Sequence, residues 1–231
     1  MKKTLLSIAF FVFVINVFSQ SQIGFKAAFL HPNFKLTSTP SNSTETFDVN
    51  NAMSYSLDYK RRWPGLFNFG GGVEYHRKKS HFITDYKSLG ADVHSDYSYQ
   101  LDYLNFKLLP EFVYGEKLRT YFQIGPYLGF LLSSNGKGSR KLDDGNGSIT
   151  IEEDERVLDY FPGIDWGLLL GAGAEYPITK RIKLAIEIQY MRGFAGFAKE
   201  DQYVYATKNF TAGLSFIYVF KGYAERIKDE N

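Results

Sequence analysis

Four histidines are the only imidazoles in the sequence: His31, His76, His81 and His94. A hydrolytic or group-transfer site would set one of them beside a serine hydroxyl or a carboxylate, so that the nucleophile can give up its proton. His81 follows Ser80 and His94 precedes Ser95. Adjacency in sequence does not bring two side chains together, and no base–nucleophile spacing is legible. No catalytic residue is assigned, and no enzymatic activity is expected. Cysteine is absent, which removes disulfides, thiolate metal ligands, thiol nucleophiles and a lipid-bearing N-terminal cysteine. Asp143, Asp144, Asn146, Ser148, Glu152, Glu153, Asp154 and Glu155 place oxygen ligands at roughly alternate positions, as a calcium loop does. Counted from Asp144, however, Ile149 stands where the tight calcium turn requires glycine. No metal is assigned. Gly70-Gly71-Gly72 and Gly171-Ala172-Gly173 lie inside alternating apolar segments, not at a strand-to-helix turn, so no phosphate cradle and no cofactor are expected. A formal charge of +2 lacks the basic excess of a nucleic-acid binder.

The more informative charges occur singly within apolar surroundings: Lys26, Asp58, Glu74, Lys107, Glu111, Asp165, Glu175, Lys183 and Glu187. The elements that carry them alternate with a period of two, the signature of strands with one apolar face. Eight such segments are read, at roughly 22–31, 52–62, 67–78, 101–114, 118–133, 164–176, 182–194 and 207–220. In the last, Phe210, Ala212, Leu214, Phe216, Tyr218 and Phe220 share one side; Asn209, Thr211, Gly213 and Ser215 share most of the other. In the sixth, Trp166, Leu168, Leu170 and Tyr176 oppose Asp165, Gly167, Gly171, Gly173 and Glu175. Pro110 and Pro126 remove ladder donors, and each predicts a bulge or gap. The connections 32–51, 79–100, 134–163 and 195–206 read as long and polar, while 63–66, 115–117 and 177–181 read as tight turns.

Long connections at one end and short ones at the other, between strands of about ten residues, mark an outer-membrane barrel. The predicted fold is all-β: an eight-stranded antiparallel up-and-down transmembrane barrel, closed so that every backbone polar group is satisfied away from water. A soluble eight-stranded barrel with its apolar face inward is the competing architecture. Three observations favour lipid outside. The polar faces are rich in glycine, as a crowded lumen requires. Trp166 and Tyr176 bracket an aliphatic stretch like an aromatic girdle. The polar faces also lack the dense Lys and Glu of a solvated sheet. Aromatic residues amount to 17% of the chain, with 21 Phe and 17 Tyr, and mean hydropathy is −0.25, which excludes a helical membrane bundle.

Residues 1–19 read as a secretory leader: Lys2 and Lys3, an apolar run from Leu5 to Phe18, then Ser19. The barrel occupies 20–220, and 221–231 is a short charged periplasmic tail. Eight strands leave no room for a wide channel, so the nine inward charges, with Lys60, are expected to pair as a plug. The turn centred on Thr179 sets Glu175 opposite Lys183. Lys60, Arg61 and Arg62 end the second segment near the periplasmic interface and are expected to reach water or headgroups. Arg77, Lys78 and Lys79 stand together where the third leaves the membrane, and are candidates for contact with lipopolysaccharide phosphates.

The strand order and several short motifs resemble the PorT-like outer-membrane β-barrel family, often labelled porin family. They are Gly24-Phe25-Lys26-Ala27, Val73-Glu74-Tyr75, Gly125-Pro126-Tyr127-Leu128-Gly129, Asp165-Trp166-Gly167 through Gly171-Ala172-Gly173, and Tyr190 with Gly193. Ala28 stands where the family usually has glycine, and Lys107 where proline is common. The resemblance implies an outer-membrane barrel without catalytic residues; its named member is similar to components needed for type IX secretion. The functional expectation is a structural or interaction barrel whose partners are outer-membrane lipids and envelope or secretion-machinery proteins. A narrow transport protein and a lipid-modifying enzyme are the alternatives.

Overall fold

The computed structural model describes residues 20–37, 44–62, 66–88, 90–143, 145, 147–155, 163–194 and 204–220. The leader at 1–19 and the tail at 221–231 lie outside them. All regular structure among the described residues is strand: β1 (Gln20–Thr37), β2 (Thr44–Asn50), β3 (Ala52–Arg62), β4 (Phe67–Ser88), β5 (Ala91–Tyr114), β6 (Arg119–Asp143), β7 (Ser148–Glu155), β8 (Ile164–Pro177), β9 (Ile182–Gly193) and β10 (Val204–Val219).

Eight of these form a closed antiparallel ring in the order β1-β3-β4-β5-β6-β8-β9-β10. The ring closes where β1 meets β10, from Gln22↔Val219 to Thr37↔Val204. Closure leaves no open edge in the wall, which a strand in hydrocarbon requires. Parity sorts the side chains. Phe216, Leu170 and Ile186 face outward at 48%, 40% and 60% exposure, while Lys107 and Glu187 are enclosed at 2% and 6%. The oily surface therefore surrounds an ionic interior. Trp166 packs edge-on against Phe194 at one rim, and Tyr218 against Phe220 at the other, giving the two aromatic belts of a membrane barrel.

The connections differ from their sequence reading. Much of 32–51, 79–100 and 134–163 is strand, not loop. β4 and β5 stay paired from Phe67↔Phe112 to Ser88↔Ala91, and β5 with β6 reaches Asp92↔Asp143. β2 adds to β4, and β7 to β6, so a five-stranded sheet continues one side of the wall past the lipid zone. Past residue 78 the enclosed face carries Ser80, Thr84 and Ser95 and the outer face Lys79, Asp85 and His94, so both faces are polar and the oily-polar alternation that signals strands fades although pairing continues. The opposite end has tight turns, at 115–118 and 178–181. Gly115 holds φ at 102°, and Ile178 and Thr179 donate to the Ile182 carbonyl. By the asymmetry of bacterial barrels this is the periplasmic end.

The ladder between β5 and β6 is interrupted between the pairs Lys107↔Tyr127 and Glu111↔Gln123, the stretch that holds Pro110 and Pro126. The register is the same on both sides, so this is a gap and not a bulge. A side chain at Gly125 would strike the Leu108 carbonyl oxygen, so glycine lets that carbonyl swing inward where the proline N–H is missing. The one bulge between these strands lies elsewhere, at Asp102/Tyr103.

Candidate functional site: the ion-paired lumen

Alternation along each strand aims every second side chain at the barrel axis. On the described strands this brings together six cations, Lys26, Lys60, Arg62, Lys78, Lys107 and Lys183, and six carboxylates, Asp58, Glu74, Glu111, Asp165, Glu175 and Glu187, all buried. Equal numbers matter because an unpaired charge in this space costs several kcal/mol.

Near the periplasmic end, Arg62 grips Glu175 with both arms of its guanidinium, with Nη2 2.6 Å from Oε2. Lys183 adds a third donor to the same carboxylate, 3.0 Å from Oε1. Glu111 bonds Lys60 and lies 3.6 Å from Arg62. At mid-height Lys107 sits 3.0 Å from both Asp58 and Glu74. Lys26 bridges Glu74 at 3.2 Å and Glu187 at 3.1 Å, and also donates to Gln189 at 2.8 Å. The Tyr121 hydroxyl donates to Glu187 at 2.7 Å, while the Lys60 ammonium lies 4.5 Å from the Tyr121 ring centre. That ring links the two layers. Higher up, Lys78 pairs with Asp165 at 3.2 Å and stands 4.4 Å over the Tyr103 ring; Tyr127 and Thr207 donate to the same carboxylate.

Glycines make room for this chemistry. A Cβ at Gly72 would collide with Asp58, and one at Gly173 with the Tyr121 ring. Leu109, Tyr127, Leu169 and Met191 add a buried apolar cluster on the β5-β6-β8-β9 side. Such residues escape a polarity-based reading because a Leu or Met looks outward by default.

All nine charges singled out from the sequence lie in this interior. Two basic runs need correction. Lys60 and Arg62 do not reach water or headgroups: they point inward to Glu111 and Glu175, and only Arg61 between them faces outward. Likewise Arg77, Lys78 and Lys79 do not form one lipid-facing cluster. Lys78 is buried against Asp165, whereas Arg77 and Lys79 are exposed and Arg77 bonds Asp102 at 3.0 Å. Consecutive residues on a strand point to opposite faces.

The histidines separate in the same way. His76 is buried, its Nε2 3.3 Å from Glu74. His81 meets Asp96, and His94 meets Asp85, each at 2.6 Å in the extramembrane hairpin. Ser80 and Ser95, their neighbours in sequence, are buried on the opposite face. Among the described residues no group of three or more His, Asp or Glu is arranged to hold a metal ion.

A closed ring of eight strands with an apolar belt outside and paired charges inside defines an outer-membrane β-barrel protein. Residues 18–199 match the outer membrane protein beta-barrel domain, and the chain belongs to that family. No curated protein matches the sequence. Among solved structures the chain resembles the outer membrane protein OprG from Pseudomonas aeruginosa, at 12% identity and a TM-score of 0.52, covering 89% of this chain and 97% of that one. It is also similar to Ail, the attachment invasion locus protein of Yersinia pestis, at 14% identity and a TM-score of 0.38, covering 87% and 99%. For Neisserial surface protein A the identity is 15% and the TM-score 0.40, covering 84% and 95%. The family match is to outer-membrane barrels at large and does not single out the PorT-like group.

Proposed function

We propose that this protein is a non-conducting structural and interaction barrel of the outer membrane. Its leader is removed at export, and it presents its extended outer sheet to envelope partners, including secretion machinery as the PorT-like resemblance implies. The observation that carries this reading is the occupied lumen: twelve opposite charges, bonded in layers from Glu175 to Asp165, stand where a pore would need water. Opening a path would strand buried charges, each at a cost of several kcal/mol. The placement of Ser80 and Ser95 on the face opposite His81 and His94 argues against a lipid-modifying site.

Planar-bilayer recording of the purified full chain tests the reading. No reproducible single-channel step is expected; a stable step with ion selectivity would replace the plug with a narrow transport path. Crosslinking on intact cells, with lysine reagents at the exposed Lys79 and Lys141, is expected to capture envelope proteins, and recovery of the uncrosslinked barrel alone would remove the interaction role.

A further inference from the structure

The outer wall is not evenly covered. Gly71 is the outward position on β4 between Phe69 and Val73, and it carries no side chain. A groove of about 800 Å³ opens there, lined by Tyr59 and Arg61 on β3, Gly71 and Val73 on β4, Leu108 on β5 and Pro126 on β6. This volume falls within the roughly 300–1,000 Å³ of small-molecule sites. Its walls are almost wholly apolar except at one end. There Arg61, one residue from the end of β3 and paired in register with Phe69, marks the periplasmic rim.

We propose that this groove binds an anionic phospholipid of the periplasmic leaflet, with one acyl chain over Gly71 between Val73 and Leu108 and the phosphate on Arg61. The inference rests on the outer-membrane orientation given above. A guanidinium beside a hydrocarbon slot matches a ligand with a phosphate joined to an acyl chain, because Arg bonds phosphate oxygens in a bidentate manner. The height of Arg61 selects the leaflet: the tight-turn end faces the periplasm, so the headgroup comes from phospholipid and not from lipopolysaccharide. The neighbouring inward charges do not compete for it, since Lys60 and Arg62 are bound to Glu111 and Glu175.

Native mass spectrometry of the full chain, released from bilayers containing dioleoyl phosphatidylglycerol or dioleoylglycerol, tests the site. The wild type is expected to retain one phosphatidylglycerol. Arg61→Gln should reduce that retention about tenfold, the loss of one charge-assisted contact, and leave dioleoylglycerol unchanged. Val73→Trp, which fills the groove, should abolish retention of both; Leu108→Trp fills it from the other wall and reads the same way if Val73→Trp does not fold. Arg181→Gln, in an exposed periplasmic turn, should change nothing. Equal retention by wild type and Arg61→Gln, or an equal loss in Arg181→Gln, overturns the proposal. Heat-modifiable migration checks the fold, and membrane fractionation checks location. A correctly located, folded barrel without retained lipid therefore condemns the groove and not the orientation.

Discussion

The Lys107 ammonium lies 3.0 Å from Glu74 Oε2, with both side chains wholly enclosed by the barrel. They project from adjacent strands two residues out of register, on the same face, since Lys107 pairs with Gly72 and Glu74 with Asn105. Gly72 leaves room for Asp58, which approaches Lys107 from the other side of β4. One cation thus ties three strands.

Removing that cation leaves two carboxylates short of a partner. Lys107→Met is expected to destabilise the barrel by about 3–5 kcal/mol. Adding Glu74→Gln should recover part of the loss, with a coupling of about 0.5–3 kcal/mol. Urea unfolding in detergent, followed by loss of heat-modifiable migration, measures both. Additive losses would show that the two groups are not energetically paired.

Adjacent lysines should behave differently. Lys78→Met breaks the enclosed pair with Asp165 and should cost several kcal/mol, whereas Lys79→Met, outward and exposed, should stay within about 0.5 kcal/mol of wild type. The same unfolding assay compares them, and similar losses would contradict the assigned faces.

Space is as constrained as charge. A Cβ at Gly173 would meet the Tyr121 ring, while one at Gly147 meets nothing within 4 Å among the described residues. Gly173→Val is expected to cost about 1–3 kcal/mol by overpacking, and Gly147→Val to leave the folded fraction unchanged. Thermal unfolding in detergent separates the two.

The gap opposite Pro110 and Pro126 should be the soft place in the wall. The amides of Leu108 and Ile124, which point across the gap, are expected to exchange with deuterium faster than those of Phe122 and Phe112, which are paired. Pro110→Ala with Pro126→Ala restores two donors and should slow that exchange. Uniform protection across β5 and β6 would contradict an open ladder.

The lipid-crossing part of the barrel was legible because one face there meets hydrocarbon. Leu168, Leu170 and Tyr176 against Asp165, Gly171 and Glu175 leave little choice of period. The strand extensions past residues 78 and 133, and the added strands β2 and β7, were not, because the enclosed face of the extensions is itself polar, with Ser80, Thr84, Ser95 and Ser134, and polarity stops alternating. Within the lumen, parity separates Lys107 from Leu108, but a polarity reading hides Leu109, Leu169 and Met191, which pack inward. Arg62 was missed for the opposite reason: in a run of three cations at a strand end, composition reads as a solvated rim, and only strict alternation sends Lys60 and Arg62 inside.

The absence of cysteine allows single labels to be placed at will. Spin labels at Ile186 and Leu214, exposed at 60% and 68% on the outer wall, are compared in bilayers with labels at Asn135 and Lys141 beyond the lipid zone. The first pair should be readily relaxed by oxygen and shielded from a water-soluble nickel chelate, and the second pair should show the reverse. Labels at Ile186 and Leu214 that are immobile and shielded from both agents would place those side chains inside the barrel and contradict the account.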